Sequence, residues 1–131
     1  MKITTIGIDL AKEVFQIHGV DVHGKAVLRK QLRRSDMTKF FVNLEPCLIG
    51  MEACGSAHYW GRTAERLGLA PRLMAAEFVR PYRKRQSVKN DRADAEAILV
   101  ALLSPGMRFI PVKTEAQQQR LAWHSLRVGW V

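Results

Sequence analysis

Three strand-like segments follow one another at the start of this chain, and only then does the pattern change to helices alternating with strands. Residues 2–9 are rich in β-branched side chains (Ile3, Thr4, Thr5, Ile6, Ile8) and run to the polar Asp9. Val14–Val20 and Ala26–Leu32 repeat that character, and Asp21-Val22-His23-Gly24 between them reads as a hairpin connection. Met37, Phe40, Phe41 and Leu44 then recur at helical spacing behind Ser35, a candidate N-cap, and Pro46 closes that helix. Cys47–Met51 is a short unbroken apolar run, the pattern of a strand covered on both faces. A second helix is expected from the cap Ser56 to the stop Gly68, followed by a strand over Ala70–Met74. Asp91 opens a further helix through Leu103, ended by Ser104-Pro105-Gly106. Phe109–Val112 reads as a short extended piece, and Thr114 as the cap of a last helix covering at least Glu115–Arg127.

The order β-β-β-α-β-α-β-α predicts an α/β fold, a mixed five-stranded sheet with helices on both faces. It is the order of the ribonuclease-H-like (RuvC-like) fold, in which the first and fourth strands lie side by side and parallel. Ligands of open α/β sheets gather at the carboxyl ends of strands where the connections diverge, so the residues ending those two strands matter most. Both are acids: Asp9 ends Ile6-Gly7-Ile8-Asp9, and Glu52 ends Ile49-Gly50-Met51-Glu52. Side chains alternate along a strand, so Gly7 shares a face with Asp9 and Gly50 with Glu52. A glycine pair beneath a pair of acids lets another backbone approach the sheet closely. The helix from Asp91 is the candidate, because Asp91, Asp94, Ala95, Ile98 and Leu102 fall on one stripe at ~100° per residue. Glu96 falls well off that stripe and is expected to be solvated surface.

The charge of the chain points to its partners. Its 131 residues carry 21 Lys and Arg against 12 acids, a formal net charge of +9. A surplus of that size suggests a polyanion, nucleic acid above all. Residues 80–92 concentrate it, with Arg80, Arg83, Lys84, Arg85, Lys89 and Arg92 against the single acid Asp91. Lys12, three residues after Asp9, is a further candidate phosphate contact. Four carboxylates converging on one face repel, and divalent cations resolve that conflict; oxygen-only ligands suit Mg²⁺ or Mn²⁺ rather than zinc. Two such ions ~4 Å apart serve phosphoryl transfer, and the neighbouring basic stretch would hold a phosphate backbone beside them. No apolar run approaches the ~20 residues that span a bilayer, and no signal peptide precedes Asp9. Cys47 and Cys54 are too few and too oddly spaced for a disulfide framework or a zinc site, so a cytoplasmic, nucleoid-associated setting is expected. His18, His23, His58 and His124 lack ligand spacing and are expected at the surface or half-buried. Tyr59, Trp60, Phe78 and Tyr82 are assigned to packing before base stacking.

Three stretches together carry a family resemblance: Ile6-Gly7-Ile8-Asp9-Leu10-Ala11-Lys12, Gly50-Met51-Glu52-Ala53-Cys54-Gly55-Ser56-Ala57-His58-Tyr59-Trp60 and Lys89-Asn90-Asp91-Arg92-Ala93-Asp94-Ala95-Glu96-Ala97-Ile98. The chain resembles, from about Ile3 to Arg127, the N-terminal domain of insertion-sequence transposases of the IS one-ten type, the DEDD or bridge-RNA-guided recombinases. The resemblance implies a RuvC-like domain whose catalytic and metal-binding acids are Asp9, Glu52, Asp91 and Asp94, with Mg²⁺ as cofactor. It also implies DNA and a structured guide RNA as partners, and a homo-oligomer in the full-length family. Members continue into a second domain with a serine nucleophile, and no serine here matches that motif. The expectation is therefore a RuvC-like domain over residues 1–112, residues 113–131 as the start of a linking helix, and a truncated chain not competent alone for recombination. Two other readings stay open, a non-catalytic nucleic-acid-binding remnant and a stand-alone RuvC-like junction nuclease. An actin-like ATPase, which opens with a similar Gly-Ile-Asp-Leu, is disfavoured by the missing phosphate loops.

Overall fold

The computed structural model describes residues 2–11, 13–84 and 91–120. Its strands are β1 (Thr5–Leu10), β2 (Val14–Val20), β3 (Ala26–Arg33), β4 (Leu48–Glu52) and β5 (Ala70–Met74). Its helices are α1 (Met37–Val42), α2 (Gly55–Arg66), α3 (Ala76–Lys84) and α4 (Asp91–Leu102). The strands form one sheet in the order β3-β2-β1-β4-β5. β1 and β2, and β2 and β3, pair antiparallel, whereas β4 runs parallel to both β1 and β5. The expected mixed sheet is therefore present, with β1 and β4 adjacent and parallel.

Alternation along the strands sends two sets of side chains to opposite faces. One face carries Ile6, Ile8, Phe15, Ile17, Ile49, Met51 and Leu73, packed against Met37 and Phe41 of α1 and Ala57, Trp60 and Ala64 of α2. Trp60 meets Phe15 and Phe41 edge-on, at centroid separations of 5.8 and 6.2 Å. Each such pair adds about 0.5–1.5 kcal/mol to the area it buries. On the other face Met74 packs with Val79 of α3 and with Ile98, Ala101 and Leu102 of α4. The edge strand β3 is largely exposed and carries Arg29, Lys30 and Arg33, charges that discourage pairing with another chain.

Several local expectations are corrected. Ser35 does not cap α1: a 3₁₀ turn over Arg34–Asp36 carries the chain out of β3, and Asp36 holds the N-cap position without a side-chain bond. Cys54, not Ser56, precedes α2, and the Ser56 hydroxyl instead accepts a hydrogen bond from Arg34 at 3.0 Å. Helix α3 takes up the first part of the stretch read only as a charge run. Pro81 removes one helical hydrogen bond there, and burial of Val79 with the packing of Tyr82 offsets it. The cap at Thr114 is present. Its hydroxyl accepts the Gln117 N–H at 3.1 Å while the Gln117 side chain accepts the Thr114 N–H at 2.8 Å. Residues 115–120 are helical, and the remainder of that expected helix, with Trp123, Leu126 and Trp130, lies outside the described residues. Among the described residues no helix is long and apolar enough to cross a membrane.

His18 and His58 are both buried, at 5% and 6% exposure. His58 Nδ1 accepts the Lys113 N–H at 3.0 Å, which only an unprotonated nitrogen can do. Burial pushes its pKa down, and the charges of Lys113 and Arg62 push the same way. His18 is lowered by burial, with Glu96 opposing and Arg29 reinforcing. In each case the folded state binds the proton less readily than the unfolded chain. Their contribution to stability is therefore complete above the ordinary histidine range and is lost as pH falls through it and below. The midpoint of thermal unfolding should drop between pH 7.5 and pH 5.5, and the slope should flatten in His58→Gln. An unchanged slope in that variant would show that the Lys113 bond does not set the pH response.

Candidate active site

The site is built by two strands, two helices and a missing pair of β-carbons. Gly7 and Gly50 are register partners on β1 and β4. A Cβ on Gly7 would lie 2.6 Å from the Ala95 carbonyl oxygen and 2.8 Å from the Leu99 nitrogen. A Cβ on Gly50 would lie 2.7 Å from Leu102 Cδ2. The backbone of α4 thus rests directly on the sheet, as the glycine pair predicted. That approach lowers Asp94, one turn into α4, toward Asp9 and Glu52, each two residues beyond its glycine on the same face. Glu96 departs from expectation. It is half-buried, and its charge reaches His18 on β2, because α4 is broad and apolar enough to bury Ala97, Leu99 and Ala101 as well as the expected stripe.

Helix α3 lies against α4 and delivers Arg83 into the gap between the acids. Its Nη2 is 2.7 Å from Glu52 Oε2 and 3.9 Å from Asp9 Oδ1, and its Nε is 3.4 Å from Asp94 Oδ1. Three carboxylates from three separate segments therefore meet at one guanidinium. The fit is electrostatic more than directional. Glu52 Oε2 and Arg83 Nε are both buried without an aligned hydrogen bond, so the 2.7 Å contact is a charge contact. A buried carboxylate oxygen lacking a donor is a costly group unless a cation compensates it. The donor set is all-oxygen and suits a hard divalent ion. As they stand, no three His, Cys, Asp or Glu side chains among the described residues are close enough together to share one.

The remaining sequence candidates divide into three groups. Arg80 is exposed on α3, one turn before Arg83. For Lys84, Asp91 and Arg92 the backbone is helical and the side chains are outside the description, although Asp91 stands one turn before Asp94 on α4. Lys12, Arg85 and Lys89 lie outside the described residues. Arg83 itself, expected to face phosphate, turns its charge inward. Sequence reasoning passed over a second cationic feature. β3 runs parallel to β1, so Arg33 and Arg34 arrive at the same edge of the sheet as Asp9 and Glu52. There a cleft of about 580 Å³ is lined by Arg34, Ser35, Thr38, Ser56, Tyr59 and Trp60, with Tyr59 half exposed. The consecutive arginines at a strand end were the available signal.

No protein-family model matches the chain. Over 127 residues it is 51% identical to a probable family 20 transposase of Pseudomonas aeruginosa, a match covering 97% of this chain and 37% of that protein. It is 43% identical over 125 residues to the transposase for insertion sequence element IS1328 of Yersinia enterocolitica, with 95% of this chain and 37% of that one covered. It is 38% identical over 125 residues to the transposase for insertion sequence element IS1111A of Coxiella burnetii, with 95% and 34% covered. The chain spans about a third of the length of these curated relatives. Among solved structures it resembles T. thermophilus RuvC in complex with Holliday junction substrate. The TM-score is 0.56 at 9% identity, over 84% of this chain and 100% of that one, a likeness of fold. The expected resemblance to insertion-sequence transposases is met in the names of these relatives, and the ribonuclease-H-like fold in the likeness to RuvC.

Proposed function

We propose, from the match of 95% of the chain to transposases for insertion sequence elements, that residues 1–112 form the RuvC-like domain of a DNA transposase or recombinase, and that residues 113–131 begin a linking helix toward a further domain. The observation that carries this reading is the meeting of Asp9, Glu52 and Asp94 around the Arg83 guanidinium at the carboxyl ends of β1 and β4. Asp91, one turn before Asp94, is the fourth member of the proposed D-E-D-D set. Magnesium or manganese, when bound, supplies activation of the attacking oxygen and compensation of charge on the leaving oxygen during phosphodiester cleavage. Asp9 and Glu52 hold their places through two hydrogen-bonded neighbouring strands, and Asp94 through the contact of α4 with Gly7. Arg80, with Lys84, Arg85, Lys89, Arg92 and Lys12, is assigned to the phosphate backbone. DNA is the first partner; a structured guide RNA and assembly into an oligomer follow from the family reading and belong to the same proposal.

A second reading has one observation in its favour. Arg83 already neutralises part of the acidic cluster, which suits a nucleic-acid-binding module without chemistry. Branched DNA separates the two. On the transposase reading, Mg²⁺-dependent cleavage by the chain, or by the longer protein that contains it, is lost in Asp9→Ala and in Asp94→Ala while binding persists. Binding without cleavage under every metal condition selects the second. On either reading the logarithm of the binding constant falls linearly with that of salt concentration, and Arg80→Gln reduces the slope by about one charge. A salt-independent constant would remove phosphate contacts from both.

A further inference from the structure

The geometry points to Arg83 as a built-in counter-cation that occupies the metal position and must leave it before divalent ions load. This inference rests on the metal-binding reading above and goes beyond it by assigning a control on loading to a residue of α3. Three facts support it. Arg83 touches one oxygen of each of Asp9, Glu52 and Asp94, so its charge stands where a shared cation would stand. Its grip is imperfectly directed, because Nε and Glu52 Oε2 are buried without aligned hydrogen bonds, so the contact forgoes part of the strength of an aligned guanidinium–carboxylate pair. Among the described residues no three acids are placed to share an ion, which fits a guanidinium standing between them. Arg83 is carried by α3 and not by the sheet, and its side chain is about a third exposed, so an outward rotation of that side chain redirects its charge toward bound phosphate without disturbing the strands.

The consequence is competition: metal and guanidinium cannot both hold the same oxygens. Removing the guanidinium should strengthen binding of Mn²⁺ by the chain in the absence of nucleic acid, by about tenfold or more at low ionic strength, given charges less than 4 Å apart. Electron paramagnetic resonance of free Mn²⁺ measures this directly in the wild type, Arg83→Gln and Arg83→Lys. The expected order of affinity is Arg83→Gln above Arg83→Lys and wild type, with Mn²⁺ raising the unfolding midpoint most in Arg83→Gln. Adding Asp94→Asn to Arg83→Gln should weaken binding again. Equal or weaker Mn²⁺ binding by a folded Arg83→Gln overturns the inference, and if Asp94→Asn still weakens binding in that background, the metal site stands without it. If neither the wild type nor Arg83→Gln binds Mn²⁺, the metal reading falls and the inference with it. Should Arg83→Gln not fold, Arg83→Met takes its place, tested against the same order.

Discussion

Gly7→Ala should destabilise the protein by about 3 kcal/mol, the upper part of the range for overpacking a close-packed interior. The size follows from what the new methyl group meets. At 2.6 Å from the Ala95 carbonyl oxygen and 2.8 Å from the Leu99 nitrogen, it collides with helix backbone, which cannot rotate aside as a side chain can. The strand is pinned on both sides by β2 and β4, so the strain can be relieved only by lifting α4 away from the sheet. Gly50→Ala supplies the control. Its nearest obstacle, at 2.7 Å, is Leu102 Cδ2, the far end of a flexible side chain. A rotamer change clears Cδ2, and the Leu102 Cβ at 3.2 Å has to give by only a few tenths of an ångström, so the cost is about 1 kcal/mol. Urea unfolding of the two variants should separate them by a clear shift in midpoint at constant slope. Equal destabilisation would show that α4 is not held by backbone-to-backbone approach at Gly7. Lifting α4 also carries Asp94 away from Asp9 and Glu52, so Gly7→Ala should lose divalent-ion binding along with stability.

That approach of helix to sheet was legible in the sequence because period two is a geometric necessity. An acid two residues beyond a glycine shares its face, and two such pairs on neighbouring parallel strands leave a shallow trough. The strand order was legible for a similar reason: β-branched runs and unbroken apolar runs mark half-buried and fully buried strands. What escaped was decided by tertiary contact. α3 looked like a solvated charge run, since Pro81 and the surrounding cations hide the two residues that anchor it, Val79 and Tyr82. Arg83 was grouped by charge with its neighbours, and nothing local tells which of several arginines on a helix will point inward. Glu96 was placed by an angle on a wheel, and the wheel does not show that β2 rises beside α4 to bring His18 within reach of its charge. Ser35 and Ser56 were given cap roles on type alone. A turn entering from β3 and a neighbouring arginine gave them other positions.

Asp9→Asn and Glu52→Gln should each lower divalent-ion affinity by more than about 100-fold, while Asp94→Asn lowers it less. The bound comes from a comparison of positions. Removing a hydrogen-bond partner outside the ligand shell of a metal typically costs about 10–100-fold, and these carboxylates are proposed as the ligands themselves. The order comes from burial. The Asp9 and Glu52 side chains are 20% and 26% exposed, whereas that of Asp94 is 41% exposed. An ion at the site has less water available on the sheet side to replace a lost oxygen than on the helix side. Stability should respond in the opposite sense to function. Glu52 and Asp94 share the Arg83 guanidinium with Asp9, so neutralising either of them relieves repulsion among the carboxylates that remain. Arg83 keeps two partners, and such partly exposed pairs contribute only about 0–1 kcal/mol each. Metal-free unfolding midpoints should therefore stay level or rise in Glu52→Gln and Asp94→Asn, as cleavage of branched DNA disappears. A fall in stability comparable to that of Gly7→Ala would mean that the cluster is a structural ion-pair network, with Arg83 its permanent centre. The contrast between a glycine that holds the fold and carboxylates that strain it is what separates a site kept for chemistry from one kept for stability.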